Sequence, residues 1–273
     1  MAIITIARER GAHGRQVARA LADRLGAHFI DRDIVESRLE TLGIKQKKRE
    51  AFDERKPGFF ASLTNAVEEY VTCLKLVLFD EARDANCVVL GRGGQMLFKD
   101  VPGHLSVRLI APAELRSERV AETEHLDLSQ ARQVVSKVDH NRAGFNNFFF
   151  DCDWADPLDY DLVFNTRRLS VDAVVGWLAD MAQSIPEKEL ADGRETLANL
   201  ARAQKVERHL LHVQKLPVFF LKVTCDGDRA TLTGIAHSAD VIEQARRAAF
   251  IDGIQTVNCK IEIGLHGHYE GRI

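Results

Sequence analysis

The stretch IITIARERGAHGR, residues 3–15, decides how the rest of the chain is read. Ile3, Ile4, Thr5 and Ile6 form an unbroken apolar or β-branched run, the composition of a short buried strand. Arg8 to Arg15 is a polar turn carrying two glycines, Gly11 and Gly14. Beyond it Val17, Ala18, Leu21, Ala22 and Leu25 recur at helical spacing, and Gly26 supplies a C-terminal stop. Strand, glycine turn and helix together aim free backbone N–H groups at an anion, and a phosphate is the usual occupant. The spelling GxxxxGK[ST] is absent, because Arg15 and Gln16 follow Gly14.

Outward from this stretch the pattern repeats. Residues 27–30 predict a second strand, ending in Asp31-Arg32-Asp33, with a helix over 34–42 stopped at Gly43. Residues 44–58 are densely charged and end in Pro57-Gly58, which predicts either a mobile surface segment or a solvated helix face. A long helix is predicted over 61–85, where Leu63, Val67, Tyr70, Val71, Leu74 and Leu78 keep the 3.6 period. Strands follow at 87–90, 105–110 and 160–165, interleaved with helices that carry Arg116 and Arg119, then Asp139 and Arg142, and closed by a helix over 171–183. Near-continuous apolar strands alternating with helices predict an α/β domain whose parallel sheet is covered on both faces. In such sheets the ligand lies beyond the carboxyl ends of the strands, where Arg8–Arg15, Asp31, Asp33 and Arg92 all fall.

The pattern changes near Ser184-Ile185-Pro186. A helix over about 192–212 is followed by two strands around Asp226-Gly227-Asp228, a hairpin signal. A helix capped by Ser238 and a last strand alternating Val257, Cys259, Ile261 and Ile263 inward complete a small α+β unit. The expected division is residues 1–185, a linker over 186–194, a second domain over 195–265 and a tail over 266–273.

Bulk properties narrow the class. The 273 residues are 45% hydrophobic and 28% charged, ample for a packed core. A net charge of −3 gives no global attraction to nucleic acid or anionic membrane. Five scattered cysteines without CxxC predict buried thiols in a reducing compartment, and the lack of a leader or a long apolar run predicts a cytoplasmic protein without a transmembrane segment.

Several stretches carry a resemblance. ITIARERGAHGRQVARALADRLGAHFIDRDIV, VVLGRGGQMLF, RLIAPAELRSERV, SKVDHNRAGFNNFFFDCDW and YDLVFNTRRLSVDAVV resemble, in order, the cytidylate kinase-like branch of the P-loop nucleoside monophosphate kinases. DGDRATLTG and IDGIQTVNCKIEI resemble a BON domain, a module often linked to phospholipid or partner binding. The first resemblance implies a five-stranded parallel P-loop kinase sheet, ATP and Mg²⁺ as cofactors, and phosphoryl transfer to a nucleoside monophosphate such as CMP. It implies that Gly11, Ala12, His13, Gly14, Arg15 and Gln16 cradle the donor phosphates, with Arg116 and Arg119 as lid arginines. By the same likeness Arg15 and Asp31 are catalytic, Asp31 serves Mg²⁺, and Asp33, Arg92, Asp139 and Arg142 hold the acceptor. The family commonly spells its loop GSGGR-like and its acceptor turn GRD, whereas this chain has Ala12, His13 and Gly93 in those places.

Four further readings stay open on the residues alone. Asp31 or Asp33 suits the cap of the following helix, and Asp139 with Arg142 suits an i,i+3 surface pair. The run Phe145, Phe148, Phe149, Phe150 and Trp154 is expected to pack rather than to stack on a base. His266 and His268 are expected to belong to a tail. The alternative functions are a catalytically degenerate nucleotide sensor signalling through the small domain, and a kinase of a small hydroxylated metabolite.

Overall fold

The computed structural model describes residues 2–52 and 65–264. These divide into two compact units at Thr196 and Leu197. The first unit is a five-stranded sheet of β1 (Ile3–Arg8), β2 (His28–Ile30), β3 (Cys87–Leu90), β4 (His104–Ile110) and β5 (Leu162–Asn165). Its order is β2-β3-β1-β4-β5, and every pairing is parallel. The alternation expected from the sequence therefore produces the expected sheet, with β1 at its centre.

The helices follow from the apolar spacing and from their caps. They are α1 (Gly14–Leu25), α2 (Arg32–Thr41), α3 (Gln46–Phe52), α4 (Asn65–Ala82), α5 (Gly94–Leu97), α6 (Ala113–Glu124), α7 (Leu128–Phe150) and α8 (Val171–Ser184). Helix α1 stops at Gly26, which takes the left-handed conformation and donates its N–H to Ala22 and Asp23 carbonyls. Asp127 and Gln130 form a reciprocal capping box at the start of α7, and Ser170 caps α8. Val17, Leu21, Val174 and Leu178 bury one face of the sheet together with Ile4, Ile6, Val107 and Leu109.

Element bounds differ from expectation where the sequence signal is weak. Helix α7, expected over 129–142, runs on to Phe150, because the aromatic run supplies its buried face. Phe145 is buried, and Phe149 packs on Phe145, Phe52 and Tyr70 at centroid distances of 4.7, 6.2 and 6.0 Å. The charged segment after Gly43 is helical over 46–52, anchored by buried Arg49 and Phe52. Residues 53–64, and His266 and His268 in the tail, lie outside the described residues.

The second unit begins within α9 (Glu187–Arg208), a helix that covers most of the 186–194 segment read as a linker and continues as a π-turn to Val213. Strands β6 (Val218–Asp226) and β7 (Arg229–Ala236) pair antiparallel about Asp226-Gly227-Asp228, as expected. After α10 (Ala239–Ala248), capped by Ser238, strand β8 (Thr256–Ile263) pairs parallel to β7, giving the order β6-β7-β8. Val206, Leu210, Val223, Leu232, Val241 and Ile261 form its core. All five cysteines are free thiols, and burial pushes Cys87 up to about 12 and Cys152 up to about 11. Among the described residues no helix is long and apolar enough to cross a membrane.

Candidate functional site

The site lies where β1 runs out of the sheet. Arg8 ends the strand, Glu9 to His13 turn, and α1 begins at Gly14. Two backbone positions make this turn possible. Gly11 has φ +83°, and a Cβ there would meet the Arg116 carbonyl oxygen at 2.6 Å. His13 has φ 61°, a left-handed conformation in a residue that carries a Cβ, and its Nδ1 lies 2.8 Å from Gln16 Oε1. The first turn of α1 leaves its N–H groups without helical acceptors, and the helix dipole adds positive potential at the same place.

Side chains from distant elements hold the backbone of this turn. Arg142 on α7 donates to the Arg8 carbonyl at 2.8 Å. Arg116 on α6 donates to the Arg10 carbonyl at 3.0 Å, and Arg119 donates to the Gly11 carbonyl at 3.1 Å. Asp139 on α7 accepts the Arg10 N–H at 2.8 Å and the Arg116 guanidinium at 2.5 Å. Glu9 turns back onto the sheet, accepting the Ala111 N–H at 3.1 Å and pairing with Arg116 at 3.2 Å. Arg119 also donates to the carbonyl of Thr166 after β5 at 2.8 Å, and burial lowers its pKa below the usual guanidinium value.

Two cavities flank the turn, and Arg10, Gly11, Gly14 and Arg15 line both. One, of about 360 Å³, is closed by Arg8, Asp31, Arg32, Leu90, Asn141 and Arg142. The other, of about 930 Å³, runs along α1 past His13, Gln16 and Arg19 toward Arg119, Thr123 and Val171. Arg15 is the most exposed of the loop cations at 61%, and it reaches Asp31 at 2.5 Å and Asp33 at 3.5 Å.

The sequence-derived site residues are thus brought to one end of the sheet, with distinct surroundings. Asp31 caps α2, its Oδ1 accepting the N–H groups of Asp33 and Ile34, while its Oδ2 takes Arg15. Asp33 is open to solvent. Arg92 has φ 59°, and its buried side chain pairs with Glu36 at 3.2 Å and bonds the Tyr70 hydroxyl at 3.4 Å. Asp139 and Arg142 engage the loop rather than each other. Arg116 is 7% exposed, held by Glu9 and Asp139. Arg167 and Arg168 line a separate hollow of about 310 Å³ beside Phe164 and Asn165. Sequence reasoning placed Arg8, Glu9 and Arg10 at the ligand end of the sheet without giving them roles, and it missed Arg32, Asn141 and Thr166. The RER run leaving the first strand was the available signal for the first three, since charge at the carboxyl end of a buried strand faces the ligand crevice.

For Mg²⁺, the described residues hold no group of three or more His, Cys, Asp or Glu placed to cage a metal. Mg²⁺ at phosphate-transfer sites takes one or two carboxylates and fills its shell with phosphate and water, a pattern that Asp31 and Asp33 fit. Arg15 holds Oδ2 of Asp31, so this carboxylate would serve the ion through water while that pair lasts.

Comparison with known proteins bears on the family and the fold. The cytidylate kinase of Methanopyrus kandleri is 27% identical over 188 residues, covering 68% of this chain and 96% of that protein. The cytidylate kinase of Thermococcus sibiricus is 33% identical over 96 residues, 35% of this chain and 48% of that one. The crystal structure of an uncharacterized protein from Eubacterium ventriosum superposes with a TM-score of 0.53 at 20% identity, covering 67% of this chain and 99% of its own, and so speaks for the fold. Residues 3–168 match the model of the cytidylate kinase-like family, and with the loop, the parallel sheet and the arginine-lined cavities in place the chain belongs to that family of P-loop kinase-type phosphotransferases.

Proposed function

We propose that this protein transfers the γ-phosphoryl group of ATP to a nucleoside monophosphate, with CMP the first acceptor to test. The observation that carries the reading is the loop itself, Arg10 to Arg15, standing as a common wall between two cavities. A donor and an acceptor in neighbouring cavities meet at such a wall, and phosphoryl transfer needs little more than in-line placement and stabilised charge. The larger cavity suits the donor nucleotide, its phosphates resting on the amides of Gly11, His13, Gly14 and Gln16 at the positive end of α1, whereas the Ala12 amide, expected to join them, is taken by the Glu9 carbonyl at 3.2 Å. The smaller one, rich in arginine, suits an acceptor phosphate.

Within this reading Arg15 grips the transferred phosphate as a two-pronged donor in place of a lysine. Arg142 and Asp33 border the acceptor, and Arg92 reaches it only by leaving Glu36. Arg116 and Arg119 fix the donor loop from behind, and Asp139 belongs to the same group. Mg²⁺, when bound with ATP, would neutralise phosphate charge, with Asp31 and Asp33 as its nearest carboxylates. The small unit enters as a BON-like module for a protein or phospholipid partner on its sequence resemblance alone, and a cytoplasmic location accords with the free cysteines.

The test is product analysis with the full chain, ATP, millimolar Mg²⁺ and each common nucleoside monophosphate. A phosphorylated acceptor, CMP foremost, is the expected result, and Arg15→Ala is expected to lower turnover at least tenfold while the melting temperature holds. No phosphorylated product with any monophosphate at high enzyme concentration sinks the proposal.

A further inference from the structure

Asp139 sits one turn before Arg142 on α7, beside Val138 and Asn141, which line the smaller cavity. Its resemblance-based role is to hold the acceptor. Its two carboxylate oxygens, however, are turned to the donor loop and to the arginine that holds it. Oδ1 accepts the Arg10 N–H at 2.8 Å, and Oδ2 accepts Arg116 Nη1 at 2.5 Å. The same Nη1 donates to the Arg10 carbonyl at 3.0 Å. One carboxylate and one guanidinium thereby fix both peptide groups flanking Arg10, immediately before the left-handed Gly11.

We infer that Asp139 is a positioning residue for the donor phosphate loop, acting through the Arg10 amide and through Arg116. The inference rests on the proposed kinase reading for its effect on ATP, but its structural part stands without it. Charge-assisted bonds of this kind are short and directional, so they set the orientation of the peptide planes they reach. Arg116 is itself fixed, donating through Nε to the Ala111 carbonyl at 2.8 Å and pairing with Glu9. The carboxylate thus joins a rigid frame to the loop. Asparagine at position 139 keeps one acceptor oxygen but turns an NH₂ donor onto the Arg116 donor, and the arrangement cannot survive with both bonds intact.

The experiment is Asp139→Asn in the full chain, read by site-resolved hydrogen exchange without ligand and by calorimetric titration with ATP in the absence of any acceptor. Exchange of the Arg10 amide is expected to quicken at least tenfold, with the speeding confined to residues 9–12 and strand amides such as Val107 unchanged. The ATP dissociation constant is expected to rise at least tenfold. Unchanged exchange and unchanged ATP affinity, with the loss confined to the acceptor KM, overturn the inference. Speeding spread over the whole unit overturns it too, since that marks a general structural role. If Asp139→Asn does not fold, Arg116→Lys, which keeps Asp139 but loses the planar bridge, is read the same way, and equal exchange at Arg10 overturns the inference. A wild-type chain that binds no ATP defeats the kinase proposal separately, while Arg10 exchange still decides the role of Asp139.

Discussion

Two glycine turns leave neighbouring strands of one sheet, and they are built alike. Glu9–His13 follows β1 and Gly91–Gly93 follows β3, with the Gly91 N–H bonded to the Ile6 carbonyl at 3.1 Å. Each sets one left-handed residue with a side chain, His13 at φ 61° and Arg92 at φ 59°, among left-handed glycines, Gly11 in the first turn and Gly91 and Gly93 in the second. Their surroundings are opposite. The first turn is held through its backbone by arginines and Asp139, and cavities of about 360 and 930 Å³ open on either side. The second is filled: a Cβ on Gly93 would fall 2.0 Å from the Phe150 ring, and the hollow beside it measures about 10 Å³, at the lower limit for one water molecule. A glycine turn after a buried strand is therefore common to binding and to packing. What distinguishes them is whether the neighbouring side chains support the backbone from behind or occupy the space in front.

The comparison breaks most visibly at Arg92. Its side chain is 1% exposed and faces Glu36, which is 22% exposed. Without Arg92, Glu36 keeps Arg49 at 3.4 Å, and what is lost is a buried charge-assisted bond, so Arg92→Met is expected to cost about 2 kcal/mol or more in urea unfolding. If stability holds and only acceptor affinity falls, the second turn is a ligand site after all and the contrast fails.

Acid separates the end of the sheet that carries both turns from the other end. His104 begins β4 there, bonded to Thr5 Oγ1 at 2.8 Å, and burial holds its pKa down to about 4 against the opposing pull of Asp161. The unfolded chain takes up a proton at this position near pH 6.5, whereas the folded chain waits until about pH 4. Stability conferred by the neutral ring is thus complete above pH 6.5 and is lost as the pH falls toward 4. A shift of that size amounts to about 3 kcal/mol at most, reduced to about 2 kcal/mol by the partial exposure of the ring. His104→Gln is expected to flatten the pH dependence of unfolding over this window and to leave ligand affinity at the first turn unchanged. An equally steep acid transition in the variant places the titrating group elsewhere.

How much of this was legible in the sequence follows from the range of the interactions. The strands of the first unit could be read because apolar runs between glycine stops need no distant partner to be recognised. The same holds for the hairpin at Asp226-Gly227-Asp228. The turn after β1 was legible as a phosphate-facing segment for the same reason. Its supports were not. Asp139 lies 129 residues from Arg10, and Arg119 lies 108 from Gly11, so nothing local ties them together. The resemblance made Arg116 and Arg119 lid arginines, yet Arg116 is buried, serving the Arg10 carbonyl of a distant turn. Arg92 shows the converse: its place after a strand suggested a ligand, and only packing against Glu36 and Tyr70 shows where its charge goes.

The smallest expected effect concerns the residue that most sets the first turn apart from its family spelling. His13 pays for a left-handed backbone that costs a residue with a Cβ about 1 kcal/mol or more, and that glycine adopts freely. Its bond to Gln16 is exposed to solvent and returns little. His13→Gly is therefore expected to raise stability by about 0.5–1 kcal/mol, less the added freedom of the unfolded chain. The discriminating measurement is the ATP affinity of the same variant. Unchanged affinity makes the histidine a tolerated strain on a turn whose shape is set from behind by Arg116, Arg119 and Asp139. A loss of tenfold or more shows that the ring works at the phosphate itself, and the first turn then binds with its side chains as well as with its backbone.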